Sequence, residues 1–350
     1  MITVRDKIKR QNRNRFAGLS LWLVSMLALL AAACSSQAPT ASPGDASQPL
    51  PLPVVEPMVS AGQKLHVVAT TSIIGDVVRQ VGDEAIDLTI LMQPGQDPHS
   101  YQPGASDLTA AADANIIFIN GWNLEEGLVN DLATIGNKAV LVPISAGVVP
   151  RVLSEEEHDK ETHGEGHSHG PVDPHTWQDV ANVIQWVENV RQVLSAADPA
   201  NAALYEANAA AYRQTLQQLD ADLRTTLGAI PEERRILVTN HDNLGYFARA
   251  YGFEITDSVI PSISSLAEPS AGELAALVDT MRSKGFCTLI LEATASTQLA
   301  RMLKSELTGC ADVHLIMLYT DALGPAGSGA ETYEGMMRAN AATLAKELSR

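Results

Sequence analysis

An α/β fold of two similar parallel-sheet lobes joined by a long backbone helix is what this 350-residue sequence predicts. Three observations carry that expectation. Short apolar runs of strand length alternate with helical patterns, which is the signature of βα units and a mostly parallel sheet. The alternation occurs twice, once on each side of a central segment. That central segment keeps helical spacing, and its longer part, residues 199–229, has no internal proline.

The first set places strands at residues 65–69, 86–91, 115–119 and 139–142, with helices at 72–81 and 106–113 between them. The second set places strands at 235–239, 254–259, 287–291 and 313–318, with helical segments at 270–283 and 297–307. In between, Val180, Val183, Ile184, Val187 and Val190 recur at helical spacing. Residues 199–229 then carry Leu204, Tyr212, Leu216, Leu219, Leu223 and Leu227 at steps of three, four or eight. As one helix of about 30 residues this segment would span roughly 45 Å, a stiff strut rather than a hinge. The expected organisation is an N-terminal lobe at 64–178, connecting helices at 179–230 and a C-terminal lobe at 231–350.

Hydrophobic residues make up 45% of the chain and charged residues 19%, enough apolar material to bury a core and too little charge for wholesale disorder. The 24 basic residues are outnumbered by 41 acidic ones, a net charge of −17. That sign argues against nucleic acid, whose recognition rests on neutralising phosphates. It favours small cations as partners instead.

Residues 1–33 read as a secretory signal: Arg5, Lys7, Lys9, Arg10, Arg13 and Arg15 precede a short apolar run and three small residues. The junction Leu30-Ala-Ala-Ala-Cys34-Ser-Ser resembles the lipobox of bacterial lipoproteins, in which the cysteine is lipidated and becomes the mature N-terminus. The departure is Ala31, where that motif usually has leucine. The alternatives are an uncleaved anchor or a plain secretory signal; each exports the body, so an extracytoplasmic, lipid-anchored location is expected. Residues 34–63, rich in proline and serine, read as a flexible tether. Two further cysteines, Cys287 and Cys310, are free to pair in an oxidising compartment, closing a loop worth about 3 kcal/mol. Two buried thiols are the alternative.

Four residues fall just beyond the C-terminal ends of predicted strands. His99 lies in Asp97-Pro-His99, His175 in Asp173-Pro-His175, His241 two residues past 235–239, and Asp321 three past 313–318. Ligands of open parallel sheets bind at that edge. Three imidazoles and one carboxylate suit a four-coordinate divalent metal, Zn(II) above all, with Mn(II) tolerable. A lone Asp-Pro-His is more often a turn than a ligand; two copies matched by His241 and Asp321 are harder to ascribe to chance. His66 and His314 sit inside apolar strands and read as core or rim histidines.

With these motifs the sequence resembles the metal-binding solute-binding proteins of bacterial ABC transporters, the zinc and manganese uptake family. The resemblance rests on Asp97-Pro-His99-Ser-Tyr101, Asp173-Pro-His175-Thr-Trp177, the stretch from Asn240-His241 through Tyr246 to Gly252, Tyr319-Thr-Asp321, and the tail from Thr332 to Asn340. It runs from about Lys64 to the C-terminus. It implies a monomer with a metal in the cleft between the lobes, ligated by His99, His175, His241 and Asp321, and delivery of that metal to a membrane permease. Residues 154–170 carry His158, His163, His167 and His169 among acidic residues, a composition that chelates metal. Within the family such a loop is typical of zinc importers, and manganese binders tend to place Glu at the third ligand position, here His241. Both features point to zinc.

The rival from another class is a secreted zinc hydrolase, with Asp242 or Glu292 cast as general base. It would need an open metal position, and the sequence has no His-Glu-x-x-His, no Gly-x-Ser-x-Gly and no P-loop. A second rival is a surface adhesin acting in cell adhesion, a role suggested for some family members.

Overall fold

A computed structural model of the chain describes residues 47–125, 127–136, 138–153, 172–260, 262, 264–265, 271–284, 288–293 and 314–349. The expected signal, Cys34, the four histidines of 154–170, the helix at 297–307 and the pair Cys287 and Cys310 lie outside those residues. The first lobe runs β1 (Leu65–Ala69), α1 (Ser72–Gly82), β2 (Ile86–Ile90), α2 (Ala105–Asp113), β3 (Ile116–Ile119), α3 (Gly127–Ile135) and β4 (Val140–Pro143). Two helices follow, α4 (Val180–Ala197) and α5 (Ala202–Gly228). The second lobe runs β5 (Ile236–His241), α6 (Gly245–Tyr251), β6 (Glu254–Ile260), α7 (Ala271–Lys284), β7 (Thr288–Glu292), β8 (His314–Leu318) and α8 (Tyr333–Leu348).

The first sheet is parallel, in the order β2-β1-β3-β4. In the second lobe β5 pairs with β6 and β7 with β8, all parallel, and β5 lies beside β7. The sequence of neighbours is therefore the same in both lobes. The helices α3 and α6, which the sequence reading left unassigned, complete the βα alternation.

Strands β1 and β3 are buried almost throughout, as expected of runs covered on both faces. His66 is the one exposed residue of β1, and His314 is exposed at the start of β8, as is Met317, so neither is a core histidine. Helix α5 has 27 residues and spans about 40 Å. Its buried stripe is Tyr205, Ala209, Tyr212, Leu216, Leu219, Leu223 and Leu227, at steps of three or four that track one helical face. Leu204, grouped with that stripe from sequence, is 40% exposed, because it stands one residue, about 100°, off the face that begins at Tyr205. One apolar core runs from β1 and α1 through α4 and α5 into α6, β8 and α8. The two lobes and the strut thus share that core, while Val68, Ala111, Ile117, Leu128 and Leu132 belong to a second cluster of the first lobe.

The segment expected to be a free tether behaves differently over its described part. Gly147 N donates to Leu50 O (3.0 Å) and Met58 N to Ala197 O (2.8 Å), while Leu52, Val55, Met58 and Val59 pack against the core. Gly121 has φ of 95°, and a Cβ there would come within 2.6 Å of Leu50. Residues 50–59 therefore form a strap docked on the body. Proline content alone suggested looseness; the hydrophobic residues interleaved with the prolines give the strap something to bury.

Leu216→Ala should destabilise the protein by about 2–5 kcal/mol, since it opens a cavity under the strut. Leu204→Ala should change stability by less than about 0.5 kcal/mol. Denaturant melts of the two variants check this directly.

Candidate metal centre

His99 arrives from the loop after β2, His175 from the loop after β4, His241 as the last residue of β5, and Asp321 from the loop after β8. The structure brings all four together. They are buried, and their candidate donor atoms lie within 4.8 Å of one another.

Local hydrogen bonding explains the repeated Asp-Pro-His. Asp97 Oδ1 accepts the backbone N–H of His99 at 2.9 Å, and Asp173 Oδ1 accepts that of His175 at 2.9 Å. Each aspartate closes a turn over its own backbone two residues on, and so aims the histidine inward. Asn120 Nδ2 also donates to Pro174 O (2.8 Å), pinning the second of these loops to the end of β3. Trp177 Nε1 and Gln178 Nε2 both donate to Thr320 O, at 2.6 and 2.9 Å, which ties the His175 loop to the Asp321 loop across the lobes. Tyr333 reinforces the tie, donating its N–H to Asp76 (2.8 Å) and its hydroxyl to Trp177 O (2.7 Å).

The rings are oriented by carboxylates behind them. His175 Nδ1 lies 2.9 Å from Asp173 Oδ1, and His241 Nδ1 pairs with Glu292. A carboxylate accepting at Nδ1 leaves Nε2 as the atom that faces the cluster. His99 Nε2 and His175 Nε2 are 3.2 Å apart, and His241 Nε2 is 3.5 Å from Asp321 Oδ2. Two donors on one tetrahedral zinc would stand roughly 3.4 Å apart, so these spacings suit a common four-coordinate cation. Asn243 Nδ2 bridges Glu292 Oε1 (3.1 Å) and Asp321 Oδ1 (3.2 Å), which holds Asp321 in place.

Electrostatics follow from burial among carboxylates. Burial by itself would lower the His241 pKa, but Glu292 and then Asp321 outweigh it and push the imidazole up to about 10. Burial raises Asp321 well above the ordinary carboxylate range; His241 opposes the rise, and Glu292 and Asp97 add to it. Burial likewise pushes Asp173 up to about 6 against the pull of Arg151. The carboxylates that favour a proton on His241 would equally favour a cation among these donors.

Sequence reasoning found the four inner residues and missed most of their supports. Glu292 was considered only as a general base, yet it pairs with His241 Nδ1 on the side of the ring away from the cluster. Asp242, the other candidate base, turns to Arg151 (3.8 Å). The role of Asp173 was readable in principle from its spacing to His175; that of Asn243 depends on Glu292 and Asp321, distant in the chain, and that of Trp177 and Arg151 on contacts across the lobes, none of which carries a local signal.

The model of the family described as ZnuA, zinc-uptake complex component A, periplasmic, matches residues 67–347. The chain belongs to that family. Among curated relatives it is 33% identical to the manganese-binding lipoprotein MntA of Halalkalibacterium halodurans, over 82% of this chain and 90% of that protein. It is 30% identical to the manganese ABC transporter substrate-binding lipoprotein PsaA of Streptococcus mitis, over 83% and 91%. Among solved structures, the periplasmic zinc-binding protein TroA of Treponema pallidum superposes with a TM-score of 0.71 at 29% identity, covering 82% of this chain and all of that one. The family is one of metal-binding substrate-binding proteins and not of enzymes, so the hydrolase reading falls. Among the described residues no helix is long and apolar enough to cross a membrane.

In metal-free protein His241 should remain an imidazolium at pH 8, and Glu292→Gln should lower its pKa. Its raised pKa contributes stability that is whole below the ordinary histidine value of 6.5 and is lost as pH rises through about 10. Nitrogen NMR of the imidazoles reads this directly; a neutral His241 at pH 7 would contradict it.

Proposed function

We propose that this chain captures a divalent transition metal outside the cytoplasm, through His99, His175, His241 and Asp321, and hands it to an ABC permease in the membrane. The observation that supports the reading is the convergence of four buried donors within 4.8 Å, drawn from both lobes. Such a group is costly to bury unless a cation or shared protons compensate it. Cys34 would be lipidated and hold the body at the membrane surface, a reading the lipoprotein names of the relatives support.

Two readings of the metal each rest on a specific observation. The two curated relatives named above, MntA and PsaA, are named for manganese, and this favours Mn(II) as the cargo over the zinc expectation drawn from sequence. Half of that expectation rested on His158, His163, His167 and His169, which lie outside the described residues. Zn(II) keeps the support of the donor set, because three imidazoles and one carboxylate suit zinc and the Irving–Williams order places zinc above manganese at any such site. By that order affinity alone does not name the cargo; availability to the cell enters as well. Uptake of labelled manganese and of labelled zinc by cells with and without the protein separates the two readings.

His241→Ala or His175→Ala should weaken binding of the tight metal equivalent at least about 100-fold, since each removes a donor and breaks a buried ion pair. His66→Ala and His314→Ala, changed on exposed strand positions, should leave it intact. Calorimetric titration of each variant with Zn(II) and Mn(II) is the check; unchanged affinity in the His241 variant would refute the ligand assignment.

A further inference from the structure

We propose that Arg151 is a positioning residue that holds the two lobes closed around the bound metal and sets how slowly it leaves. The inference rests on the ligand reading above but concerns a residue that is no ligand. Arg151 is fixed at its backbone from both lobes. Its carbonyl accepts Asp173 N–H at 3.0 Å, the neighbouring Val152 bridges Val172, and its own N–H donates to the Tyr246 hydroxyl of α6 at 2.8 Å. From that anchor the guanidinium reaches one carboxylate of each lobe. Nη1 lies 3.3 Å from Asp173 Oδ2, the aspartate that orients His175, and Nη2 lies 3.8 Å from Asp242 Oδ2, in the residue after His241.

Gly245 makes the approach feasible. A Cβ at that position would stand 2.6 Å from Arg151 Nε, 2.7 Å from Cζ and 2.8 Å from Asp173 Oδ2, so the first residue of α6 leaves room for this ion pair. Arg151 thus spans two carboxylates, each adjoining a different histidine, from opposite sides of the cleft. Guanidinium is suited to the task, because its planar fork offers several donors at once while lysine offers a point charge.

The consequence is kinetic. On this proposal a cation enters and leaves by way of an arrangement in which the Arg151 contacts between the lobes are broken. Contacts that exist only in the closed arrangement slow departure and leave capture nearly untouched. Arg151→Gln should therefore speed metal release about ten-fold, in line with the usual effect of residues behind metal ligands, with little change in capture rate. Arg151→Lys should fall between. Gly245→Ala, which pushes the guanidinium aside, should act in the same direction as Arg151→Gln. Asp242→Asn should also speed release, and the double variant Arg151→Gln/Asp242→Asn should be no faster than Arg151→Gln alone.

The experiment is stopped-flow tryptophan fluorescence with Zn(II) alone, first capture at low metal and then release into excess chelator. Trp177, with its ring 5.2 Å from that of His175, serves as the reporter. Faster release with unchanged capture, rescued in part by lysine, supports the proposal. Release unchanged or slower in Arg151→Gln overturns it, as does an equal change in both rates accompanied by a lower melting temperature of metal-free protein. Should the glutamine variant fail to fold, Arg151→Lys and Gly245→Ala decide by the same criterion. His241→Ala run alongside separates the two levels: tight Zn(II) retained there means the ligand assignment has failed. Zn(II) lost there, with release unaltered in Arg151→Gln, means only the role of Arg151 has failed.

Discussion

Three imidazoles and a carboxylate held out of water with their reactive atoms facing one another form the constraint around which this molecule is organised. The bare arrangement is unfavourable: nitrogens 3.2 Å apart repel unless a proton or a cation stands between them. The structure compensates from behind, with Asp173 at His175 and Glu292 at His241, each carboxylate fixing its ring and Glu292 raising the basicity of His241. The same carboxylates make the cluster attractive to any divalent cation. Burial and negative surroundings together produce a site whose metal-free state must hold protons.

Holding such a cluster open to binding yet rigid demands a frame that does not sag. Helix α5 supplies part of it, burying one continuous face against α4, α1 and α8. The inter-lobe bonds from Trp177, Gln178 and Tyr333 supply the rest, because they tie the His175 and Asp321 loops to each other rather than to solvent. The docked strap at residues 50–59 extends the same interior toward the N-terminus. Its contacts with Gly121, Gly147 and Ala197 lie on the first lobe and the end of α4.

Most of the frame was legible in the sequence because its signals are local. Short apolar runs gave the strands within a residue or two, and the long proline-free stretch gave α5. His99, His175, His241 and Asp321 could be named since each follows a strand end, where parallel sheets place ligands. What escaped has a physical reason in each case. Leu204 differs from Tyr205 only by rotation about the helix, which spacing over eight residues does not fix. The strap was masked by its prolines, whose stiffness suits docking as well as tethering. Glu292 and Asn243 act within the second lobe and Arg151 acts between the lobes, but the partners of each include residues far away in the chain. The choice of metal was read from a histidine-rich tract and from His241, whereas the relatives' names weigh toward manganese; donor type ranks affinities, and cargo depends on more than affinity.

The central claim is that one metal sits among four donors contributed by both lobes. Anomalous diffraction from crystals of the full-length protein loaded with one equivalent of metal tests it most directly. The account predicts a single strong peak about 2.0–2.2 Å from Nε2 of His99, His175 and His241 and from a carboxylate oxygen of Asp321. A peak held instead by His158, His163, His167 or His169, with the inter-lobe cluster left without metal, would contradict it.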